Sequence, residues 1–255
     1  MNVIVLAKYV PNPQGVPELG PDHLLVRSGV EGALDPGDEY GLEAGLRIIE
    51  AQGGEVVVVS MGPEEAMAAI QRALAMGAHG GILITDDVLR GADALVTARV
   101  LAATIRRRPF DLVIASVEST DGYTGTVPMT IAALLGVPSA TFARKLDVAE
   151  GLVRIERQTE GGYDVVQCPL PALATVTGSA AEPRYPTLKG IMQAKQKPVE
   201  RLTASDLGLS RDQLASSQGV VDVHDAPPKD RGEALEAGPE AVARIADLLA
   251  EARVI

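Results

Sequence analysis

The sequence predicts an α/β fold: an open, mostly parallel sheet with helices on both faces, and a C-terminal arm beyond it. Three observations carry this. Short β-branched runs alternate with helical apolar spacing through residues 1–140. Several runs are apolar without a break, which suits strands covered on both faces by crossover helices better than strands with one wet face. After residue 181 the chain turns polar and proline-rich, and one further amphipathic segment closes it.

In order, "VIVLAKYV" reads as a strand and runs into a Pro/Gly-rich loop and "HLLVRSG". "DPGDEYGLEAGLRIIEAQGG" has a Pro/Gly opening, apolar residues at Leu42, Leu46 and Ile49, and a Gly-Gly stop, which mark a helix. "EVVVVS" follows as a buried strand. "PEEAMAAIQRALAMGA" is a helix with Pro63 at its start and acids in its first turn, where the helix dipole favours them. "GGILIT" is a strand, "ADALVTARVLAATIRRR" a helix with a basic end, "DLVIAS" a strand and "TGTVPMTIAALLG" a helix. That alternation implies crossovers between parallel strands. "GLVRIERQTEGGYDVVQC" reads as two antiparallel strands turning at Glu160-Gly161-Gly162, and "PALATVTGS" as a buried strand. Last, "GPEAVARIADLLAEARVI" is an amphipathic helix that covers the sheet or belongs to an arm reaching a partner.

Composition narrows the function. With 46% hydrophobic residues, no Trp and only Phe110 and Phe142 as phenylalanines, the core is large and aliphatic. A net charge of −11 argues against nucleic acid as a ligand, because a phosphate backbone requires a basic surface. The single Cys168 excludes an internal disulfide and a cysteine-built metal site, and His23, His79 and His224 are scattered. No apolar run reaches membrane-spanning length, and the chain opens on a strand rather than a charged leader. A soluble, cytoplasmic protein with no membrane insertion is expected.

In an open parallel sheet, ligands bind outside the carboxyl ends of the strands. The richest such end is "DLVIASVESTDGYTGTVP". A strand stops near Ser116, Gly122 and Gly125 permit close backbone approach, and hydroxyls and helix N–H groups suit a phosphate. Taken locally, it reads as readily as an ordinary capped helix after a loop. At "VVVVSMGP", Ser60 and Met61 leave the sheet, with Met61 either against a purine or in the core. "VLAKYV" and "ALDPGDEYG" supply further walls. Asp35, Asp38 and Asp121 are candidates for ribose or phosphate contacts, although helix capping accounts for each. The G-x-x-x-x-G-K-[ST], G-x-G-x-x-G and G-x-S-x-G patterns are all missing. The residues describe a nucleotide-binding α/β domain without visible catalytic machinery.

"AEPRYPTLKGIMQAKQKP", residues 181–198, is different in kind. Leu188, Ile191 and Met192 lie in a segment bounded by Pro183, Pro186 and Pro198, and an exposed apolar group rimmed by charge is a protein-contact signature. Arg184, Lys189, Lys195, Lys197 and Arg201 outnumber Glu182 and Glu200, which suggests a locally basic surface facing an acidic rim.

Taken together, "VLAKYVP", "LDPGDEYGLEAGLRI", "VVVVSMGPEEA", "RALAMGAHGGILI", "ARVLAATI", "DLVIAS", "TGTVP" and "LPALATVTGSAAEPRYPTLKGIMQAKQKP" resemble the electron transfer flavoprotein beta subunit in order and spacing, over nearly the whole chain. The resemblance implies an adenine-nucleotide alpha-hydrolase-like domain over 1–181, and a recognition loop and partner-wrapping arm over 182–255. It implies a heterodimer whose alpha subunit carries most of the FAD site, with AMP held structurally by this chain. Carried over by motif, the AMP contacts are Leu6; Asp35, Pro36, Gly37 and Asp38; Ser60 and Met61; and Ser116, Val117, Glu118, Ser119, Thr120, Asp121, Gly122, Tyr123, Thr124, Gly125 and Thr126. Amides at Gly122 to Thr126 would hold the phosphate, and backbone near Leu6 and Met61 would select adenine. Many relatives read A-x-D-x-D-T-G-Q-V-P here, so Tyr123 replaces an acid and Thr126 a glutamine. The partner contacts implied are Pro183, Arg184, Tyr185, Thr187, Leu188, Ile191, Met192 and Lys195, with Leu188 as the anchor in a dehydrogenase pocket. Electrons would pass from acyl-CoA and related dehydrogenases of fatty acid oxidation, through FAD, to a quinone oxidoreductase. The alternatives are a bifurcating relative with a second FAD in place of AMP, a non-redox adenine-nucleotide-binding module, and an adenylating ligase.

Overall fold

The computed structural model describes residues 1–11, 18–27, 29–224, 226–228 and 232–255, so part of the expected Pro/Gly-rich loop lies outside the described residues. β1 (Asn2–Leu6) leads through a small antiparallel pair, β2 (Tyr9–Pro11) and β3 (Gly32–Leu34), to helix α1 (Pro36–Gln52). β4 (Glu55–Met61), α2 (Met67–Met76), β5 (Gly80–Ile84), α3 (Ala94–Ile105), β6 (Leu112–Ser116) and α4 (Val127–Leu135) follow. Next come β7 (Ser139–Ala149), β8 (Leu152–Thr159), β9 (Gly162–Pro169) and β10 (Ala172–Val176). The order ends with α5 (Leu188–Ala194), β11 (Val199–Leu202), α6 (Arg211–Leu214) and α7 (Pro239–Glu251).

The main sheet runs β11-β5-β4-β1-β6-β10-β7-β8-β9. Every pairing from β11 to β7 is parallel, and β7-β8-β9 form an antiparallel meander. Alternating side chains explain the unbroken valine runs. Val3 and Val5 of β1, with Val56 and Val58 of β4, join α1 and α2 in one core. Ile4 and Leu6, with Val57 and Val59, join α3 and α4 in the other. Each such side chain contributes about 1.5–3 kcal/mol on full burial. The expectation of helices on both faces thus holds.

The sequence reading passed over β7. Ala140 and Ala143 near its start are buried, whereas Arg144, Lys145 and Asp147 are exposed. On the other face of that stretch Leu146 and Val148 pack against the first core, opposite Ile155 and Val153 of β8, so the alternation is present but diluted by the charged residues between them. The 182–198 segment also differs from a plain loop, because it holds α5 and leads into β11, which pairs with β5.

The chain forms two compact units, Met1–Val221 and Asp222–Ile255. α5 and β11, which the sequence reading assigned to the second region, therefore belong to the first. In the second unit, α7 carries Val242, Ile245, Leu248 and Leu249, all exposed, and Arg244 pairs with Glu233 at 3.2 Å. Among the described residues no helix is long and apolar enough to cross a membrane.

Candidate functional site

β1 and β6 are neighbours in the sheet, with Val5 opposite Ile114. The chain leaving β1 reaches α1 on one face, while the chain leaving β6 reaches α4 on the other. A crevice outside the strands' carboxyl ends is the consequence of this reversal. The loop 117–126 enters it from β6, and β4, on the other side of β1, carries Ser60 near its carboxyl end.

Three aspartates frame the loop. Asp35 caps α1 by accepting the Gly37 N–H at 2.9 Å, and its other oxygen accepts the Thr120 N–H at 2.7 Å and hydroxyl at 2.9 Å. Asp38 accepts the Lys8 N–H at 2.7 Å and the Ser116 hydroxyl at 2.6 Å. Burial, and then the neighbouring Asp35 carboxylate, push the Asp38 carboxyl up to about 7. Asp121 accepts Lys8 Nζ at 2.6 Å and forms an ion pair with Arg27, while Lys8 Nζ also donates to Ser119 at 3.0 Å. The Arg27 Nη1 and Asp121 Oδ2 atoms are buried but not aligned as a hydrogen bond. Burial acts to raise Asp121, yet Lys8 and Arg27 hold it below the ordinary carboxylate value. Capping thus accounts for Asp35 alone. Asp38 and Asp121 tie the loop to the end of β1.

The tip of the loop is built differently. Tyr123 and Gly125 adopt left-handed backbone, with φ of 47° and 60°, on either side of Thr124. Such alternation turns successive N–H groups toward one side and makes an anion-binding concavity. The Tyr123 ring is exposed. α4 then begins at Thr126 with no side-chain cap, although α1 and α3 are capped by Asp35 and Asp93. Its first-turn amides therefore lack the side-chain acceptor that helix starts usually carry. The Ser60 hydroxyl, at the end of β4, is fully buried and has no hydrogen-bond partner among the described residues. Leu6 and Met61 pack at the edge of the second core, and Pro36 sits in the first turn of α1. An open cleft of about 790 Å³ continues from Gly37, Ser116, Val117 and Glu118 toward Phe142 and Thr177.

The structure brings the sequence-named residues of β1, α1, β4 and β6 to one end of the sheet. Sequence reasoning missed Lys8 and Arg27, which neutralise Asp121, and Phe142 and Thr177 in the cleft. A lone lysine directly after a buried strand was the signal for Lys8; Arg27, distant in sequence, offered none.

The second set of predicted residues lies on and before α5. Tyr185 is 86% exposed, Leu188 76% and Met192 66%, with Ile191 and Lys195 exposed beside them. Thr187 caps α5 by accepting the Gly190 N–H at 3.0 Å, and Pro183 is half-buried. Arg184 instead faces inward to Glu43 and Glu50. Arg201 pairs with Glu64, and Lys197 bonds to main-chain carbonyls. The expected basic surface is therefore reduced to Lys189 and Lys195, because folding pairs the other cations internally.

The family model described as the electron transfer flavoprotein domain matches residues 22–207. The electron transfer flavoprotein subunit beta of Thermoanaerobacterium thermosaccharolyticum is 38% identical over 84% of this chain and 83% of its own length. That of Mycobacterium bovis is 37% identical over 89% and 88%. The caffeyl-CoA reductase-Etf complex subunit CarD of Acetobacterium woodii is 36% identical over 91% of each. A match of this extent establishes that the chain belongs to the electron transfer flavoprotein family as a beta-subunit relative.

Proposed function

We propose that the chain is the beta subunit of a heterodimeric electron transfer flavoprotein and holds AMP at the β1–β6 crevice. The observation that carries the nucleotide reading is the uncapped start of α4 behind the left-handed turns at Tyr123 and Gly125. Backbone amides there suit a phosphate, and the helix dipole adds to them. The orphaned Ser60 hydroxyl, near the carboxyl end of β4, is a second candidate polar contact. The engaged oxygens of Asp35, Asp38 and Asp121 shape the loop, and Lys8 and Arg27 offset charge that would repel the phosphate.

FAD, carried mainly by the alpha subunit, supplies the redox chemistry. The residues of this chain bind and present. Leu188, with Tyr185, Ile191 and Met192, forms an exposed apolar knob for a dehydrogenase pocket. Anchoring there raises the effective concentration of the flavin near the dehydrogenase, from which electrons pass on to a quinone oxidoreductase. This chain accelerates no bond-making step of its own.

A second reading places another FAD where AMP is proposed. It is favoured by the cleft that runs on from Gly37 and Glu118, which leaves space beyond a mononucleotide. Denaturing the purified heterodimer and quantifying the released nucleotides separates the two. One AMP and one FAD per heterodimer is the expected result. Two FAD and no AMP supports the second reading, and one FAD with no other adenine nucleotide overturns both.

A further inference from the structure

We propose that Arg184, Gly190 and Lys197 are positioning residues that hold the 182–198 segment in its docking shape before a partner arrives. The inference rests on the reading that this segment meets the dehydrogenase. Arg184 Nε and Nη2 donate to the two oxygens of Glu43 at 2.7 and 3.1 Å, and Nη1 and Nη2 donate to Glu50 at 2.5 and 3.1 Å. Both acids project from α1. Glu43 is only 3% exposed, and Arg47 donates to it at 2.7 Å while also holding the Glu182 carbonyl at 3.0 Å. Burial alone would raise Glu43, but the bonds from Arg184 and Arg47 bring it below the ordinary carboxylate value. Exposed ion pairs contribute little. This one differs, because a buried carboxylate deprived of its partner is costly and so retains the arginine.

The other two fasteners act on α2. A methyl group at position 190 would lie 2.4 Å from the Ala75 carbonyl oxygen, so only glycine lets α5 lie this close. Lys197 Nζ donates to the Leu74 and Ala78 carbonyls at 2.8 and 2.7 Å, at the C-terminal end of α2. Helix ends leave such acceptors unpaired, and their dipole favours a cation. Between the fasteners Tyr185, Leu188, Ile191 and Met192 remain exposed. A segment ordered in advance loses less entropy when it docks.

The test measures amide hydrogen exchange of residues 185–194 in the full heterodimer, together with steady-state electron acceptance with the dehydrogenase as titrated substrate. Arg184→Gln, Gly190→Ala and Lys197→Met are each expected to speed exchange about tenfold and raise the KM for the dehydrogenase roughly five- to tenfold, with kcat within about twofold. Arg184→Lys, which keeps the charge and loses the planar fork, is expected to fall between wild type and Arg184→Gln. Because Arg184→Gln leaves the buried Glu43 with Arg47 as its one remaining cation, the pair Glu43→Gln with Arg184→Gln repeats the measurement without a buried charge. Unchanged exchange, or faster exchange with an unchanged KM, overturns the proposal. Leu188→Ala tells the two failures apart: an unchanged KM there sinks the docking reading, whereas a raised KM beside inert fastener variants sinks the positioning role alone.

Discussion

The loop at 117–126 and the segment at 182–198 are both tied to α1 and opposite in what they present. The first turns its polar side chains inward: Asp35, Asp38 and Asp121 accept from Thr120, Ser116 and Lys8. At its tip the backbone and the start of α4 lie beside the exposed side chains of Tyr123 and Thr124. The second turns its charges inward at its ends, on Glu43, Glu50 and the α2 carbonyls, and leaves apolar side chains outside. A loop framed by internal polar bonds is left with amides at its tip, whereas a segment pinned at both ends is left with exposed hydrophobic area. Charge used for anchoring is not available for recognition.

The largest effect expected tests the inward network by pH. Asp38, raised to about 7, binds its proton more tightly folded than unfolded. Its contribution to stability is therefore full below about pH 4, falls between about pH 4 and 7, and is flat above, by at most about 4 kcal/mol. Denaturant midpoints of wild type and Asp38→Asn across that range check it; parallel curves would show that Asp38 does not titrate there. Below about pH 4 the sign reverses, because Asp121 and Glu43 have lowered values and lose stabilisation as they protonate.

Next in size, Asp35→Ala removes the α1 cap and orphans the Thr120 amide, which should cost about 3 kcal/mol in urea unfolding and lower the retained nucleotide. A loss below about 1 kcal/mol would place the loop's anchorage elsewhere. On the other region, Leu188→Ala should leave unfolding within about 0.5 kcal/mol of wild type, since the side chain is exposed. Docking should weaken by roughly 2 kcal/mol, about thirtyfold in the dehydrogenase KM. Equal changes in stability and docking would erase the contrast between the regions. The smallest effect is Thr126→Ala. A capping threonine costs about 1 kcal/mol to remove, yet this hydroxyl makes no cap, so less than about 0.5 kcal/mol is expected in thermal unfolding.

Much of this was legible from the residues. The valine runs, the Pro and Gly boundaries of α1 and α4, the Gly stop of α2 and the turn after Thr159 are local signals, and the structure follows them. Pro63 and the acids after it instead open a separate 3-10 turn, Glu64–Ala66, and α2 starts at Met67. β7 was not legible, because Arg144, Lys145 and Asp147 dilute its alternation, and only the pairing with β8 shows Leu146 and Val148 turned to the core. At the site, local chemistry located Ser60, Ser116 and the turn at Gly125, but could not show that Asp121 meets Lys8 and Arg27. By itself the sequence determined the α/β alternation, the strand ends where a ligand can sit, and the apolar knob at Leu188. Only the tertiary structure decided which charges are free. Ion pairing depends on distances between elements far apart along the chain, and neither composition nor spacing records that Arg184 closes on Glu43.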